Sequence, residues 1–279
     1  MIFLSNSLHL ISQIHFFRIY TVLNSRKSSV YKHLLSVIET KGAAYLMLLD
    51  PDKAGDHDFE AFLTVCKESG VDGFLIGGSL LFTRETEELI NRIKSLSDIP
   101  VILFPGDTNQ VVSNADAILF ISLISGRNPE HLIGKHVIAA PLIKRYGIEP
   151  ISTGYMLIES GTTTAAEYMS GSKPIPANKP EIAVATALAA QFIGFQCVYL
   201  EAGSGAKNPV PLDMIRAVAH NTDIVLIVGG GLKTPDAAAE VIRAGAKIVV
   251  TGNHFENPEK RGDIPAFAKA VHYKESSLV

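Results

Sequence analysis

Three polar side chains of this chain stand at the ends of apolar runs, where they could take part in catalysis. Asp50 ends one such run, Ser79 follows a second, and Glu201 lies near the end of a third with an apolar residue on each side. A carboxylate such as Asp50 is a ligand that Mg²⁺ prefers, together with phosphate oxygens and water, and Ser79 could add a hydroxyl ligand. An unpaired buried carboxylate is costly. We therefore interpret Glu201 as a general base that acts on a substrate hydroxyl.

Each of these residues also has a structural interpretation. Asp50 precedes a proline and could initiate a turn, Ser79 could cap the following helix, and Glu201 could form a structural salt bridge. Tyr155 and Tyr199 either belong to the core or contact a substrate. The residue types alone leave both possibilities open.

Glycine-rich turns follow the last three apolar runs of the chain. Glycine lets backbone N–H groups approach and face an anion. Tight turns alone would also place glycines there, but three consecutive examples favour a phosphate site, with residues 253–257 as a short helix beside it. The predicted phosphate-binding residues are Gly203, Ser204, Gly205, Gly230, Gly231, Gly252 and Asn253.

Eight continuous apolar runs must position these residues. Because the runs do not alternate with polar residues, they are typical of parallel strands buried on both faces. Amphipathic segments between them predict helices, so the chain is expected to form a single (β/α)8 barrel of the α/β class. The runs cover residues 44–50, 73–78, 100–104, 117–124, 152–159, 197–203, 223–231 and 247–253.

Three segments depart from a regular repeat. Only 12 residues separate Phe104 from Ala117, which predicts a shortened third helix. Residues 160–180 are rich in Gly, Pro, Ser and Thr and are predicted to form a mobile loop on the face where barrel enzymes keep their chemistry. Ser29–Gly42 is predicted to be an extra helix that closes the bottom of the barrel.

Composition excludes several classes of protein. Of the 279 residues 47% are hydrophobic, which is typical of a globular chain. Lys and Arg number 25 against 28 Asp and Glu, so no basic surplus exists for nucleic acid. Cys66 and Cys197 cannot build a disulfide framework and fit a reducing cytoplasm. The histidines form no HxxH or HExxH pair, which argues against zinc.

Two segments raise the question of targeting or a membrane span. Residues 1–28 are predicted to be a poorly ordered extension before a barrel domain at 29–279, or to follow from a start codon assigned too early. Residues 1–17 carry no charged side chain and lack the basic region and small-residue cleavage site of a signal peptide. Residues 182–200 are long enough to span a bilayer. Gly194 divides them into an alanine-rich helix, opened by Asn178 and Pro180, and a strand. No transmembrane helix is therefore predicted.

Five motifs in this order resemble the geranylgeranylglyceryl phosphate synthase family, which includes the bacterial heptaprenylglyceryl phosphate synthases. The resemblance covers about residues 30–272. It implies a barrel with a reduced third helix and a Mg²⁺-dependent prenyltransferase that joins the 3-hydroxyl of sn-glycerol 1-phosphate to a long prenyl diphosphate, with geranylgeranyl diphosphate as the expected donor. The motifs are Asp50-Pro51-Asp52-Lys53, Ile76-Gly77-Gly78-Ser79, Tyr199-Leu200-Glu201-Ala202-Gly203-Ser204-Gly205, Gly229-Gly230-Gly231-Leu232-Lys233 and Gly252-Asn253.

The resemblance also implies roles for single residues. Asp50 and Ser79 match the metal positions, and Glu201 matches the base. Tyr155 is a further candidate substrate contact. The positions that match glycerol phosphate contacts are Tyr199, Leu200, Glu201, Ala202, Gly203, Ser204, Gly205, Gly230, Gly231, Gly252 and Asn253. The side chains expected to line an apolar trough for the prenyl chain are Leu80, Leu81, Phe104, Ile121 and Leu123.

Two departures from the family pattern bear on chain length more than on reaction type. Leu48 stands where certain bacterial relatives carry lysine, and Glu159-Ser160 stands where some carry Asn-Pro. The family also implies a homo-oligomer, and the greasy donor and product imply transient contact with a membrane surface.

Two other functions compete with prenyl transfer. A sugar-phosphate isomerase or aldolase barrel would also use the glycine turns, but an aldolase needs a Schiff-base lysine inside a strand, and Lys247 lies only at the entrance of the last one. A non-catalytic barrel that binds phosphorylated metabolites is the other alternative. The presence of both Asp50 and Glu201 argues against it.

Overall fold

Eight parallel strands close into a barrel in the computed structural model, which describes residues 29–54, 58–81 and 85–273. The first strand pairs with the second, with Leu46 opposite Gly73, and with the last, with Ala44 opposite Ile248. The predicted (β/α)8 barrel is therefore confirmed. The strands are β1 (Ala44–Leu49), β2 (Gly73–Ile76), β3 (Val101–Leu103), β4 (Ala117–Leu123), β5 (Glu149–Leu157), β6 (Cys197–Glu201), β7 (Val225–Gly229) and β8 (Ile248–Thr251).

Helices surround this barrel and connect its strands. Between β3 and β4 only a 3₁₀ turn forms (Thr108–Gln110), which confirms the shortened third helix. The helices are α1 (Val30–Lys41), α2 (Phe59–Ser69), α3 (Thr86–Leu96), α4 (Lys135–Tyr146), α5 (Ala165–Ser170), α6 (Pro180–Ile193), α7 (Leu212–Asn221), α8 (Pro235–Arg243), α9 (Asn253–Glu256) and α10 (Ile264–Val271).

The strands bury apolar side chains on both faces, which explains their continuous apolar pattern. Leu46, Leu75 and Ile102 point into the barrel, where they form one cluster of buried side chains. Met47 and Phe74 belong to a second cluster, between the sheet and the helices. Because side chains alternate along a strand, this division decides which residues can reach a site at the barrel mouth.

The helix α1 closes the bottom of the barrel, as predicted for 29–42. Leu34 and Val37 are buried and join the cluster inside the barrel. Ser29 caps the helix by accepting a hydrogen bond from the Lys32 N–H, and the Glu149 carboxylate accepts one from the Val30 N–H at 2.6 Å. These contacts satisfy backbone donors that a helix start leaves free.

Residues 160–180 are not a loop throughout, which corrects the sequence prediction. They contain α5, and Ile158 forms a parallel bridge with Ile175. Thr164 caps α5 by accepting a hydrogen bond from the Glu167 N–H, and Gly171 ends the helix in the left-handed conformation. A good cap and a good stop thus outweigh the loop-like composition.

Other boundaries also differ from the prediction. Strand β5 begins at Glu149 rather than at residue 152. Pro150 is tolerated because β6 pairs with β5 only from Thr153 onward, so its missing N–H breaks no bond with β6. Helix α6 begins at Pro180 as predicted, but Lys179 rather than Asn178 is its N-cap residue.

The apolar segment 182–200 is not one continuous helix. Residues 182–200 belong to α6 and β6, as predicted. Among the described helices, none combines the length and the apolar character needed to cross a bilayer. The predicted extension at 1–28 lies outside the described residues.

A buried carboxylate ties together three elements at the bottom of the barrel. Asp72 accepts hydrogen bonds from Lys41 at 2.6 Å, from the Tyr45 N–H at 2.8 Å and from His272 at 2.7 Å. Burial acts to raise the pKa of Asp72, but the hydrogen bonds from His272, Lys41 and Tyr45 outweigh it, so the pKa lies below its ordinary value. The ionised form is therefore stabilised by folding.

We expect Asp72→Asn to lower the free energy of unfolding at neutral pH by about 2 to 4 kcal/mol, because it breaks a buried charged network. Since folding depresses this pKa, the stabilisation is present above the unfolded value of about 3.9 and is lost as the pH falls through the lower folded value. Denaturant unfolding across this range measures both effects. Asp213→Asn, at an exposed ion pair, is the control and should change stability by less than about 0.5 kcal/mol.

Candidate active site

A cavity of about 780 Å³ opens at the carboxyl ends of the strands. Its volume is typical of a small-molecule site. Nearly all the predicted catalytic, metal and glycerol phosphate residues line it, which brings together Asp50 after β1, Ser79 after β2, Tyr155 on β5 and Glu201 on β6. The exceptions are Leu200 and Ala202, which point the other way and pack between the sheet and the helices.

Glu201 is the most buried carboxylate of this cavity, with 5% of its surface exposed. Its Oε1 accepts a hydrogen bond from the Gly203 N–H at 2.6 Å. It makes no ion pair with a described residue, so the structural salt bridge is not observed. Burial raises the pKa of Glu201, while hydrogen bonding with Tyr199 and Gly203 acts in the opposite direction. A carboxylate with a raised pKa is suited to accept a proton.

An aromatic cluster lies beside this carboxylate. Tyr199 stacks on Phe104, with ring centroids 5.6 Å apart, and meets Tyr155 edge to face at 5.3 Å. Burial, followed by the charge of Glu201, holds the pKa of both tyrosines well above the ordinary value, so both remain neutral donors. The Tyr199 hydroxyl is buried near Glu201 and interacts with that carboxylate, but its geometry falls short of a full hydrogen bond with any described residue. An oxygen of a bound ligand would satisfy it.

The three glycine turns meet along one side of the cavity. Gly203, Gly230 and Gly231 have positive φ angles of 99°, 84° and 72°, which only glycine adopts readily. Ser204 donates a hydrogen bond to Asn253 Oδ1 at 2.7 Å and thereby joins the tip of β6 to the start of α9. The turns can present backbone N–H groups to an anion, as the phosphate prediction requires.

Asp50 follows β1, which pairs with β8 in the closed barrel, so it lies next to the turn after β8 and farther from the turns after β6 and β7. Its side chain is 22% exposed, and Oδ2 lies 3.4 Å from the Lys53 ammonium. Oδ1 accepts a hydrogen bond from the Asp52 N–H, so the predicted turn-forming role is present as well. Ser79 does not cap α3, which begins only at Thr86.

The same residues can be tested against the chemistry of Mg²⁺. No group of three histidine, cysteine or acidic side chains suited to a metal occurs in the described part of the chain. A single carboxylate with a nearby hydroxyl still fits Mg²⁺, because this ion is often bound by one or two carboxylates while substrate phosphates and water complete its shell. Asp50 and Ser79, both lining the cavity, meet that requirement.

An apolar trough continues the cavity away from the glycine turns. The predicted trough residues Leu80, Leu81, Phe104, Ile121 and Leu123 all line the cavity, Phe104 and Ile121 from inside the barrel. It extends between β4 and α4, where its further lining residues are Ile118, Phe120, Ala139 and Ile143.

Comparison with known proteins decides the family. The model of the PcrB family matches residues 35–271. This chain belongs to the PcrB family. The resemblance noted in the sequence is thereby confirmed.

Two relatives of this PcrB-family chain are both named geranylgeranylglyceryl phosphate synthase. The geranylgeranylglyceryl phosphate synthase of Spirosoma linguale is 46% identical over 236 residues, which cover 85% of this chain and 94% of the relative. The synthase of Pyrococcus horikoshii is 41% identical over 232 residues, which cover 83% and 90%. The prediction of an enzyme similar to these synthases is confirmed.

A solved structure agrees with these relatives. The crystal structure of (S)-3-O-geranylgeranylglyceryl phosphate synthase from Thermoplasma acidophilum, in complex with its substrate sn-glycerol-1-phosphate, has a TM-score of 0.79 and 31% identity. The match covers 85% of this chain and 97% of that chain.

Two residues at this site, Lys53 and His136, received no role from the sequence. Lys53 bonds both oxygens of Glu256 at 3.0 Å and so connects the Asp50 turn to α9. Its position three residues after Asp50 was the only feature of the sequence that could have indicated this role. His136 accepts from or donates to Ser122 at 3.1 Å inside the trough, and burial lowers its pKa. It therefore stays neutral, which suits an apolar wall.

We expect Gly230→Ala to raise KM for glycerol phosphate at least about tenfold, because a side chain there is strained and displaces its neighbours. A Cβ at residue 230 would lie 2.5 Å from Glu201 Oε1 and 2.7 Å from the Gly203 nitrogen. Steady-state kinetics measures the change. Gly194→Ala is the control, since its φ of 98° is similar but no atom lies within 4 Å. An unchanged KM in Gly230→Ala would contradict the role of this turn.

Proposed function

We propose that this chain transfers a geranylgeranyl group from its diphosphate to the 3-hydroxyl of sn-glycerol 1-phosphate. The hydroxyl oxygen forms an ether bond with the allylic carbon, the bond from that carbon to the diphosphate breaks, and the hydroxyl proton passes to Glu201. The observation that carries this proposal is the position of Glu201, buried between the glycine turns and the apolar trough.

The phosphate end of the acceptor is assigned to the glycine turns. Backbone N–H groups of 204–205, 230–231 and 252–253 are suited to its phosphate, and the buried Tyr199 hydroxyl to one of its oxygens. With the phosphate on these turns, the glycerol hydroxyls lie toward Glu201. Burial of this carboxylate excludes water that would compete for the allylic carbon.

The donor diphosphate is assigned to the neighbouring part of the cavity, at the ends of β1 and β2. Asp50 and Ser79 would hold Mg²⁺, which when bound neutralises the charge of the leaving diphosphate. Lys53, 3.4 Å from Asp50, adds a positive charge on the same side.

The apolar lining supports a long prenyl donor. It continues from Leu80 and Leu81 at the mouth to Ile118 and Ile143 between β4 and α4, and a prenyl chain presents apolar surface to such a lining. The choice of geranylgeranyl as the donor rests on the name of the relatives.

We further propose that the protein works in the cytoplasm as a homo-oligomer and meets the membrane only transiently. Exposed apolar side chains on consecutive barrel helices support self-association: Val137 and Ile138 on α4, and Phe192 and Ile193 on α6. Light scattering during gel filtration measures the oligomeric state.

A product assay tests the reaction. The protein is incubated with Mg²⁺, radiolabelled sn-glycerol 1-phosphate and prenyl diphosphates from farnesyl to heptaprenyl. We expect label in an organic-soluble ether, most rapidly with geranylgeranyl diphosphate. Failure of every donor, in protein shown to be folded, would contradict prenyl transfer. A preference for the heptaprenyl donor would contradict only the chain length.

A further inference from the structure

We propose that the outer surface of α5 docks on a lipid bilayer, so that prenyl chains pass between membrane and cavity without crossing water. The contact is made by Tyr168 and Met169. This inference rests on the proposed function, because only a donor and a product with long prenyl chains would require it.

The segment that contains α5 lies across the mouth of the cavity and is packed at both ends. Before the helix, Thr164 lies so close to Gly203 that a Cβ at residue 203 would be 2.3 Å from its Cγ2. After the helix, Ser172 packs on Gly126, where a Cβ would be 2.6 Å from its Oγ. The segment therefore extends from the tip of β6 to the loop after β4, and one surface of α5 faces outward.

Apolar surface continues from the cavity to this outer surface. Met169 lines the cavity and is also 50% exposed. Leu80, which follows β2 on another side of the mouth, likewise lines the cavity and is 48% exposed. Single exposed apolar side chains are ordinary. Here, however, they continue the lining of a trough suited to a lipid chain, which favours a lipid surface over a protein partner.

Tyr168 extends this apolar rim outward. It is 80% exposed, although it follows the cavity-lining residues Ala165 and Ala166 in the same helix. Tyrosine is enriched where membrane and water meet, because its ring is apolar and its hydroxyl is polar. Folding leaves this ring in water, whereas a bilayer would bury it.

Charges around α5 predict weak and reversible binding. Lys173 and Lys207 are exposed on the flanking segments and can contact anionic headgroups. Glu159 and Glu167 lie in the same region and oppose this attraction. Apolar contact by a few side chains is therefore the main contribution, with a smaller one from anionic lipid.

Flotation of the full chain with vesicles of phosphatidylcholine, with and without phosphatidylglycerol, tests the contact. Tyr168→Ser should lower the partition coefficient at least about threefold, since binding scales with buried apolar area. The double variant Y168S/M169S should lower it further. Tyr273→Ser is the matched control: this tyrosine is 51% exposed beside His272, which contacts Asp72 at the other end of the barrel. It should not change binding.

Turnover separates this proposal from the proposed function. We expect Tyr168→Ser to retain the native rate with geranyl diphosphate in solution and to lose rate at least about threefold with geranylgeranyl diphosphate supplied in vesicles. If the native chain does not bind vesicles, or if Y168S and Y273S bind alike, docking by α5 is wrong while turnover in solution still supports the transferase. If no donor reacts but binding depends on Tyr168, the docking surface stands and the proposed reaction fails.

Discussion

Glu201→Gln is expected to lower kcat at least about 100-fold, because the variant cannot accept the hydroxyl proton as the ether bond forms. Glutamine has nearly the same shape and can still accept the hydrogen bond from the Gly203 N–H. KM for glycerol phosphate should therefore change little. Steady-state kinetics with both substrates measures kcat and KM separately. Turnover near the native value would show that Glu201 is not the base.

The pH dependence of the native enzyme gives a second readout. Since burial raises the pKa of Glu201, the base becomes protonated at a higher pH than an ordinary glutamate, whose pKa is about 4.3. The rate should fall as the pH is lowered through that raised value. The residual rate of Glu201→Gln should lack this acid limb.

Protein stability distinguishes lost chemistry from lost structure. A raised pKa in the folded state means that the ionised Glu201 opposes folding at pH values above its unfolded pKa. Glu201→Gln removes this cost, so its free energy of unfolding at neutral pH should equal or exceed that of the native chain. A large loss of stability would point to a structural role.

The barrel was predictable because its signals are local and repeated. Most strands are buried on both faces and appear as unbroken apolar runs, and the short interval before Ala117 leaves no room for a helix. Strand β5 is the exception, since its start at Glu149 is polar and partly exposed. The positions of Asp50 and Glu201 followed directly, since the ends of parallel strands meet at one side of the barrel. The glycines of the phosphate site were predictable for the same reason, because they form turns at the same ends of the strands.

Strand alternation explains the predicted contacts that the structure does not bring to the cavity. Tyr199 and Glu201 point into the cavity, so Leu200 and Ala202 must point toward the helices. The alternation of side chains along a strand was sufficient to predict that these two residues point away from the cavity. The family motif covers residues 199–205 as one continuous segment, which does not distinguish side chains on the two faces of the strand.

Other features depend on contacts between distant parts of the chain. The pair of Lys53 and Glu256 joins residues 203 positions apart, which no local pattern reveals. Helix α5 has only six residues, and short helices are marginal without tertiary support. That support comes from the packing of Thr164 on Gly203. The composition of residues 160–180 could not show it.

Asp50→Asn is expected to lower kcat/KM for the prenyl diphosphate at least about 100-fold, because a neutral amide is a weaker Mg²⁺ ligand than a carboxylate. The amide keeps an oxygen that can accept the hydrogen bond from the Asp52 N–H. The dissociation constant of glycerol phosphate should change less than about threefold, since its proposed site is the glycine turns of β6, β7 and β8, which this substitution leaves unaltered. Kinetics at several Mg²⁺ concentrations and calorimetry with glycerol phosphate measure the two effects.

Asp52→Asn is the matched control, with the same change of charge two residues away. Unlike Asp50, Asp52 does not line the cavity, so this variant should keep nearly native kinetics. Excess Mg²⁺ should partly restore Asp50→Asn if the lost group is a metal ligand, and should have no effect if the loss comes only from the broken pair with Lys53. Equal weakening of both substrates would contradict two separate subsites. Selective loss of the donor supports a cavity in which Asp50 and Glu201 act on different substrates.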